Sequence, residues 1–423
     1  MKKAMKRSLS LLMALAMLFA LAACGSTPAA DKTPSSTSGD SGNSGDSGAA
    51  ASSDDVIVLG CYQPLTGNNA IQGGGAKNSV DLYVKELNAR GGLLGKQVKV
   101  VHYDDASNPE AAVRIVTKLL EVDQIDLCIG SIISSCLLAS GEALNANKIP
   151  TFGLGLSPTW MANDWEYFFR PALNTAYSIP ALTETMDTLG FDSVAIFEGQ
   201  DDYGVAAGQS MRTACAEAGK TVTTTENYVT GDTDFSGQIA KIIASNPDCV
   251  FMGVLSGDAG NIIKRFRQFG YNGVIFYSET LTQDVIDIAG DAINHVIFKY
   301  PYITYQNAED CTDPFMKEFL EKYEAEYGFL PEGDATYRGW DGMIALEAAV
   351  NAAGSIDGEA VKNACLGLSN LRGLAGTFDF TREGNGECLY DFASWVVVNG
   401  ASMNLDDWYG SDDYNAFAAE MGW

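Results

Sequence analysis

A cluster of small hydroxyl and thiol side chains stands out in the segment IGSIISSCLLASGE, residues 129–142. It contains Ser131, Ser134, Ser135 and Cys136, and it begins in an apolar run typical of a β-strand. A serine or cysteine in this place could act as a nucleophile, cap the helix that the following residues predict, or hold a ligand. The residue types alone leave all three roles open.

A nucleophile needs a general base, and few candidates are present. His102 ends one predicted strand and His295 begins another, in different halves of the chain, so a shared triad is not expected. There is no GxSxG or HExxH motif, and QGGGAKNS at 72–79 lacks the spacing of a phosphate-binding loop. We therefore expect no catalytic residue and no cofactor. A hydrolase that uses Ser134 or Cys136 is a minor alternative.

Two positions have the chemistry to bind a charged group of a ligand. Ser134 and Ser135 stand where a strand gives way to a helix, and a helix N-terminus offers unpaired N–H groups that suit a carboxylate. Ordinary capping by serine explains this pattern equally well. Glu279 ends another predicted strand, GVIFYSE, where it could meet a ligand ammonium or simply lie in solvent.

These side chains must be positioned by strands that alternate with helices. Mostly apolar strands in such an alternation indicate parallel sheets buried on both faces, and two rounds of it indicate two doubly wound α/β lobes. In open α/β sheets, ligands bind outside the carboxyl ends of the strands, so the cleft between the lobes is the expected site. The predicted strands are 56–62, 97–105, 126–132 and 149–156, then 193–199, 249–255, 273–279 and 295–303.

The segment beyond about residue 304 is mixed. GWDGMIALEAAVNAAG predicts an amphipathic helix, and GTFDFTREGNGECLYDFASWVVVNG predicts a hairpin with a glycine-rich turn.

The N-terminus predicts export and anchoring. Residues 1–23 combine basic residues with the apolar run LLMALAMLFALAA, the pattern of a signal peptide. The sequence LAA directly before Cys24 resembles a bacterial lipobox, so Cys24 is the predicted lipidation site. The remainder of 24–54 is low-complexity Gly/Ser/Asp sequence, which predicts a disordered tether. We expect a lipid anchor on the extracellular or periplasmic side of the cell membrane.

Composition limits the partners. The 423 residues carry a formal net charge of −27, which argues against nucleic acid or anionic lipid as a ligand. The hydrophobic content of 46% is enough for two domains with sizeable cores. Nine cysteines occur without a CxxC or Cys/His spacing, so no metal site is expected, and disulfide pairing stays open.

Several segments together carry a resemblance to one family. They are PLTGNNAIQGGG, LNARGGLLGKQVKVVHYDDASNPEAAV, IGSIISS, LSP, DDYG, TDFSGQIAKI and YSET. In this combination and spacing, nearly all of 56–400 resembles the extracellular solute-binding proteins of ABC importers for branched-chain amino acids. That family has the type I periplasmic-binding fold. The resemblance implies a first lobe of about 55–172 and 304–385 and a second lobe of about 173–303 and 386–423, joined by a hinge.

The resemblance also implies roles for site residues. Ser134, with backbone groups beside it, would hold the ligand α-carboxylate. Tyr203 and Glu279 would come from the other lobe, with Glu279 receiving the α-ammonium. The second loop of the site would be formed by Leu154, Gly155 and Leu156.

Some positions depart from the family pattern. Leu156 stands where a threonine is usual, so a carboxylate donor is missing unless Ser157 supplies it. Gln72 stands where an aromatic residue often lines the side-chain pocket. Ser107 and Ile133 occupy the positions of a disulfide found in some members. An amino acid ligand is expected, but leucine in particular is not implied.

The resemblance therefore predicts a monomeric, lipid-anchored receptor rather than an enzyme. It would deliver an amino acid to an ABC permease and its ATPase. The alternative is an extracellular sensor on the same fold for a small amide, urea or an aromatic acid.

Overall fold

The computed structural model describes residues 56–381, 387–389 and 392–423, with only the backbone at 387–389. The predicted signal peptide, Cys24 and the tether lie outside these residues. Within the described part of the chain, no helix has the length and apolar character needed to span a bilayer.

Strands and helices alternate along the described chain. The strands are β1 (Val56–Gln63), β2 (Gln97–Asp104), β3 (Leu127–Ile129), β4 (Thr151–Phe152), β5 (Phe168–Phe169), β6 (Ser193–Gly199), β7 (Thr221–Tyr228), β8 (Cys249–Gly253), β9 (Val274–Tyr277), β10 (Val296–Tyr300), β11 (Leu371–Arg372), β12 (Thr377–Asp379), β13 (Glu387–Leu389), β14 (Ala393–Val398) and β15 (Ala401–Asn404). The helices are α1 (Ala70–Ala89), α2 (Pro109–Glu121), α3 (Ser134–Ala146), α4 (Thr175–Ser178), α5 (Leu182–Leu189), α6 (Asp202–Ala218), α7 (Ser236–Ala244), α8 (Ser256–Gln268), α9 (Gln283–Ala289), α10 (Pro314–Tyr327), α11 (Asp334–Ala353), α12 (Gly358–Cys365), α13 (Leu405–Trp408) and α14 (Asp412–Met421).

The first sheet has the strand order β2–β1–β3–β4–β5 in the described residues, and every pair is parallel. β1 reads VIVLGCYQ and is buried along most of its length, as expected of a strand covered on both faces. The order reverses between β1 and β3, and this reversal opens a crevice at their carboxyl ends. Ser134 stands at that edge, as the first residue of α3.

The second sheet has the order β15–β14–β10–β9–β8–β6–β7. Its strands from β7 to β10 are parallel, whereas β14 and β15 add an antiparallel edge beside β10. Tyr203 lies in the first turn of α6, just after β6, and Glu279 follows β9. The predicted α/β fold with parallel sheets is therefore confirmed.

The chain passes between the two sheets three times. After β10 it returns to the first sheet, where α11 packs along α1. The short antiparallel sheet β11–β12–β13 follows, and Phe380 at its border packs 6.2 Å from Phe169. The chain rejoins the second sheet at Ala393, a few residues beyond the expected boundary at 386.

The first lobe consists of the first sheet with α1–α3, α10–α12 and the short sheet. The second lobe consists of the second sheet with α4–α9, α13 and α14.

Two of the differences between the fold and the sequence prediction have a clear structural cause. β7 was not predicted, because TVTTTENY is polar and lies at the edge of its sheet, where few of its side chains are buried. The strand predicted at 149–156 shrinks to β4, because the backbone beyond Phe152 leaves the sheet. The carbonyl groups of Leu154 and Leu156 instead accept hydrogen bonds from Arg338 and Thr175. This departure creates the loop that faces Ser134.

Candidate ligand-binding site

The loop between β3 and α3 is held by buried polar side chains. Gln63 donates from its Nε2 to the Gly130 carbonyl (2.9 Å) and accepts the Ile132 N–H (3.0 Å). The Ser131 hydroxyl donates to Asp105 Oδ2 (2.7 Å) and accepts the Ile133 N–H (3.0 Å). Ser131 therefore has a structural role, and these bonds fix the point at which α3 begins.

Ser134 lies at that start with its hydroxyl turned to the neighbouring loop. It is 2% exposed, and its Oγ accepts the Ser157 N–H at 3.2 Å. No side chain caps α3, so the capping role that the sequence left open is not seen. The Ser134 hydroxyl hydrogen and the first N–H groups of α3 remain as donors at one place. That set of donors suits a carboxylate.

The loop 154–157 approaches Ser134 closely because residue 155 is a glycine. A Cβ at Gly155 would lie 2.8 Å from Ser134 Oγ, closer than side-chain atoms tolerate. Leu154 and Leu156 are buried beside it. The Ser157 hydroxyl is within 2.9 Å of Thr159 Oγ1, so it is already engaged within the protein. Ser135 lies half-buried in the first turn of α3.

Glu279 comes from the second lobe and is buried, with 5% exposure. Burial, and next the charge of Asp334, raises the pKa of Glu279 to about 8. The Tyr203 hydroxyl donates to Ser278 Oγ at 2.8 Å, and its own pKa is raised by burial and by the Glu279 charge. Tyr203 is held there by Asp201, whose carboxylate accepts the N–H groups of Tyr203 and Gly204 and caps α6.

Gln72, which stands where an aromatic residue was expected to line a side-chain pocket, lies in the first turn of α1 and contacts the start of α11. Its Nε2 donates to Asp334 Oδ1 (2.9 Å), and its Oε1 accepts the Ala335 N–H (3.0 Å). Both polar groups of the amide are thus used within the protein. Gln72 orients the buried acid Asp334.

Sequence reasoning missed Asp334 and Arg338, both buried in the first turns of α11. Asp334 accepts hydrogen bonds from Tyr300 Oη (2.6 Å) and Arg338 Nη2 (3.1 Å). Arg338 also donates from Nη1 to the Leu154 carbonyl (2.5 Å), which ties α11 to the loop beside Ser134. The predicted helix began at Gly339, five residues too late. The signal was an acid and an arginine four residues apart, a pair that shares one face of a helix.

The two lobes touch at both ends of the cleft. At one end, Asn68 Nδ2 donates to Asp258 Oδ1 (3.3 Å), and the Gly257 N–H donates to Asn69 Oδ1 (3.3 Å). At the other end, the Thr159 hydroxyl lies 2.7 and 2.6 Å from the two carboxylate oxygens of Asp202. The structure therefore has its lobes in direct contact, closed upon each other, and both Ser134 and Glu279 are buried.

A family model described as "periplasmic binding protein" matches residues 56–396. The chain belongs to the periplasmic binding protein family. The family resemblance of the sequence is thereby confirmed.

This binding protein is similar to Leu/Ile/Val-binding protein homolog 2 of Brucella abortus (strain 2308). The two are 26% identical over 332 residues, which is 78% of this chain and 87% of that relative. The solved leucine binding protein LivK of Thermotoga maritima has a TM-score of 0.73 at 22% identity, covering 83% of this chain and 99% of the other. An ABC transporter solute binding protein from R. palustris, solved in complex with benzoate, has a TM-score of 0.74 at 22% identity, covering 83% and 95%. These likenesses confirm the type I fold.

The histidines of this binding protein are engaged away from the serine cluster. His102 Nε2 lies 2.7 Å from Asp81 Oδ1, and His295 Nε2 lies 3.3 Å from Asp413 Oδ2. Cys136 is buried, and burial raises the pKa of its thiol. In the described residues, therefore, neither imidazole is hydrogen-bonded to Ser134 or Cys136.

Proposed function

We propose that this chain is a solute-binding receptor that captures an amino acid between its lobes and delivers it to an ABC importer. The observation that carries the proposal is that the closed lobes bring together two groups of complementary chemistry, hydrogen-bond donors from one lobe and an acid from the other. Ser134 and the N-terminus of α3 offer donors from the first lobe, and Glu279 offers a buried acid from the second. A zwitterion carries the matching carboxylate and ammonium.

The α-carboxylate would accept hydrogen bonds from the Ser134 hydroxyl and the first N–H groups of α3. The α-ammonium would bind Glu279, with Tyr203 beside it. Hydrogen bonds to charged groups of this kind are the strong ones, and burial strengthens them further. The raised pKa of Glu279 fits this role, because an arriving ammonium supplies the positive charge that would keep the buried carboxylate ionised.

Closure would couple binding to delivery. A ligand that contacts both lobes binds the closed state more tightly, so it shifts the population toward closure. A permease that recognises the closed arrangement would then receive only loaded receptor. The Leu/Ile/Val-binding and leucine-binding names of similar proteins support an amino acid as cargo. The predicted Cys24 anchor and the tether would hold the receptor at the membrane.

The test of this proposal is Glu279→Ala. Calorimetry with the purified chain should detect micromolar or tighter binding of at least one amino acid, and the variant should weaken it by ~100-fold, since the ammonium loses its buried partner. Glu226→Ala is the control, because Glu226 lies on β7 and pairs with Lys241 (2.9 Å). Unchanged affinity in the Glu279 variant would refute the assignment of the site.

A second function is a sensor for an aromatic acid, small amide or urea. It is supported by the structural similarity to a solute binding protein in complex with benzoate and by Leu156 in place of the expected threonine. Such ligands lack an α-ammonium, so their binding would be insensitive to Glu279→Ala. The same calorimetry, extended to benzoate and urea, therefore separates the two functions.

A further inference from the structure

Three buried polar groups near Glu279 have no hydrogen-bond partner among the described residues. They are the hydroxyls of Tyr277 and Thr280 and the Nε of Arg338. Their side chains are 1%, 0% and 4% exposed. Tyr277 ends β9 and Thr280 follows Glu279 directly, so both hydroxyls belong to the segment that carries the acid.

Arg338 faces this segment from the first lobe. Each Nη of its guanidinium makes one hydrogen bond, to the Leu154 carbonyl and to Asp334 Oδ1, while Nε makes none. Although burial opposes the charge, the carboxylate of Asp334 raises the pKa of Arg338, so it stays a cation. The Leu154 bond places the guanidinium beside the loop that contacts Ser134.

The segment carrying Thr280 runs along the start of α11. The Gln283 N–H donates to the Glu332 carbonyl at 2.9 Å. A Cβ at Gly333 would lie 2.7 Å from Thr282 Cγ2, so the Thr282 side chain packs against the backbone at Gly333. Tyr277 pairs with Phe298 of β10, two residues before Tyr300, whose hydroxyl donates to Asp334 at the start of α11 (2.6 Å).

Buried polar groups without partners are rare in folded proteins, because each costs free energy. Valine and phenylalanine would fill the positions of Thr280 and Tyr277 without that cost. An aliphatic ligand side chain would leave all three groups unsatisfied. A ligand side chain that carries oxygen atoms would offer these donors an acceptor.

We propose, on the basis of the proposed function, that the bound amino acid carries a side-chain carboxylate or carboxamide held by Arg338, Thr280 and Tyr277. An arginine suits a planar oxygen-bearing group. A site built from such donors rejects analogues that lack the acceptor, because its buried groups are then left unpaired. Leucine and isoleucine are therefore poor ligands for this site.

Calorimetry on the full chain tests the ligand class directly. The probes are aspartate, glutamate, asparagine, glutamine, leucine and isoleucine. At least one of the first four should bind ~10-fold or more tightly than both aliphatic amino acids. Comparing the affinities of the two acids with those of the two amides shows whether the site prefers a carboxylate or a carboxamide. Equal or tighter binding of leucine or isoleucine overturns the proposal.

Two isosteric variants, Thr280→Val and Tyr277→Phe, test the residues. Because each hydroxyl lacks a protein partner, the melting temperature of the unliganded protein should stay unchanged or rise. Affinity for the preferred polar amino acid should fall by ~5- to 30-fold. The ratio of this affinity to that for leucine should become smaller. Tyr337→Phe is the matched control, since it also removes a buried hydroxyl without a described partner, and its ring packs on Phe319 and Tyr302.

The outcomes separate this inference from the function on which it rests. Variants that change affinity no more than Tyr337→Phe overturn the inference. Tight leucine binding that depends on Glu279 overturns the inference and leaves the proposed function standing. Absence of binding by every amino acid overturns both.

Discussion

At the scale of single residues, Glu279 is the group whose chemistry depends most on its surroundings. Burial and the Asp334 charge raise its pKa to about 8, so near neutral pH the acid is mostly protonated in the unliganded closed form. A carboxyl whose folded pKa is raised contributes stability at low pH, and this contribution is lost as the pH rises from about 4.5 to about 8. An ammonium ligand reverses the preference by favouring the ionised form.

Binding of an amino acid at pH 7 should therefore release close to one proton from Glu279. Calorimetry in buffers of different ionisation enthalpy measures this number directly. Glu279→Gln should abolish the release, since glutamine has no proton to lose in this range. Release that persists in the variant would mean that another group titrates on binding.

At the scale of elements, the site depends on how closely one loop approaches one helix. The loop 154–157 reaches α3 because Gly155 leaves room for Ser134 Oγ, and the Ser157 N–H then hydrogen-bonds to that oxygen. β3 and α3 fix the position of Ser134, and β4 fixes the start of the loop. The loop thus separates the sheet from the proposed ligand donors.

Gly155→Ala should displace this loop, because the added Cβ would lie 2.8 Å from Ser134 Oγ and 2.9 Å from Leu137 Cδ1. We expect ~10-fold weaker ligand binding and a loss of ~1–3 kcal/mol in the free energy of unfolding, as for overpacked cores. Calorimetry and denaturant unfolding measure both.

Gly74→Ala is the control, because it lies in α1 with no atom within 4 Å of its Cβ position, and alanine favours a helix. The free energy of unfolding of the Gly74→Ala variant should equal or exceed that of the wild-type protein. If the two alanine variants behaved alike, the close approach at Gly155 would not matter.

The elements also show how far sequence could predict this site. Apolar strands such as β8 and β9 could be predicted because both faces are buried, and the positions of Ser134 and Glu279 near strand ends could be predicted with them. Their binding roles stay a proposal. The first turn of α11 could not be predicted from the sequence, because acidic and arginine side chains are usually exposed, whereas Asp334 and Arg338 are buried. Their partners Gln72 and Tyr300 are distant in the chain, and only the fold brings them together.

At the scale of the whole molecule, the closed cleft is held by contacts at its two ends. Asn68 with Asp258 lies at one end and Thr159 with Asp202 at the other. Both are direct bonds between lobes that opening would break. They therefore set part of the balance between open and closed states.

Thr159→Val should shift that balance toward the open state, because valine cannot donate to Asp202. Apparent ligand affinity should fall ~3- to 10-fold, in proportion to the lost closed fraction. Small-angle X-ray scattering should show that, without ligand, the variant has a larger radius of gyration than the wild-type protein.

Thr188→Val serves as the comparison, since the Thr188 hydroxyl donates to the Glu184 carbonyl (3.0 Å) within one helix. It should change neither quantity. Equal affinity in the two variants would show that the Asp202 bond contributes nothing to closure.

The three passages of the chain between the sheets have a consequence for biosynthesis. The first sheet is complete at Phe169, but α11, which packs along α1, ends only at Ala353. The second sheet lacks its antiparallel edge until Asn404. Since an apolar face needs its cover to be stable, neither lobe can finish its core until most of the chain is present. We therefore expect both lobes to be completed late, rather than one after the other from the N-terminus.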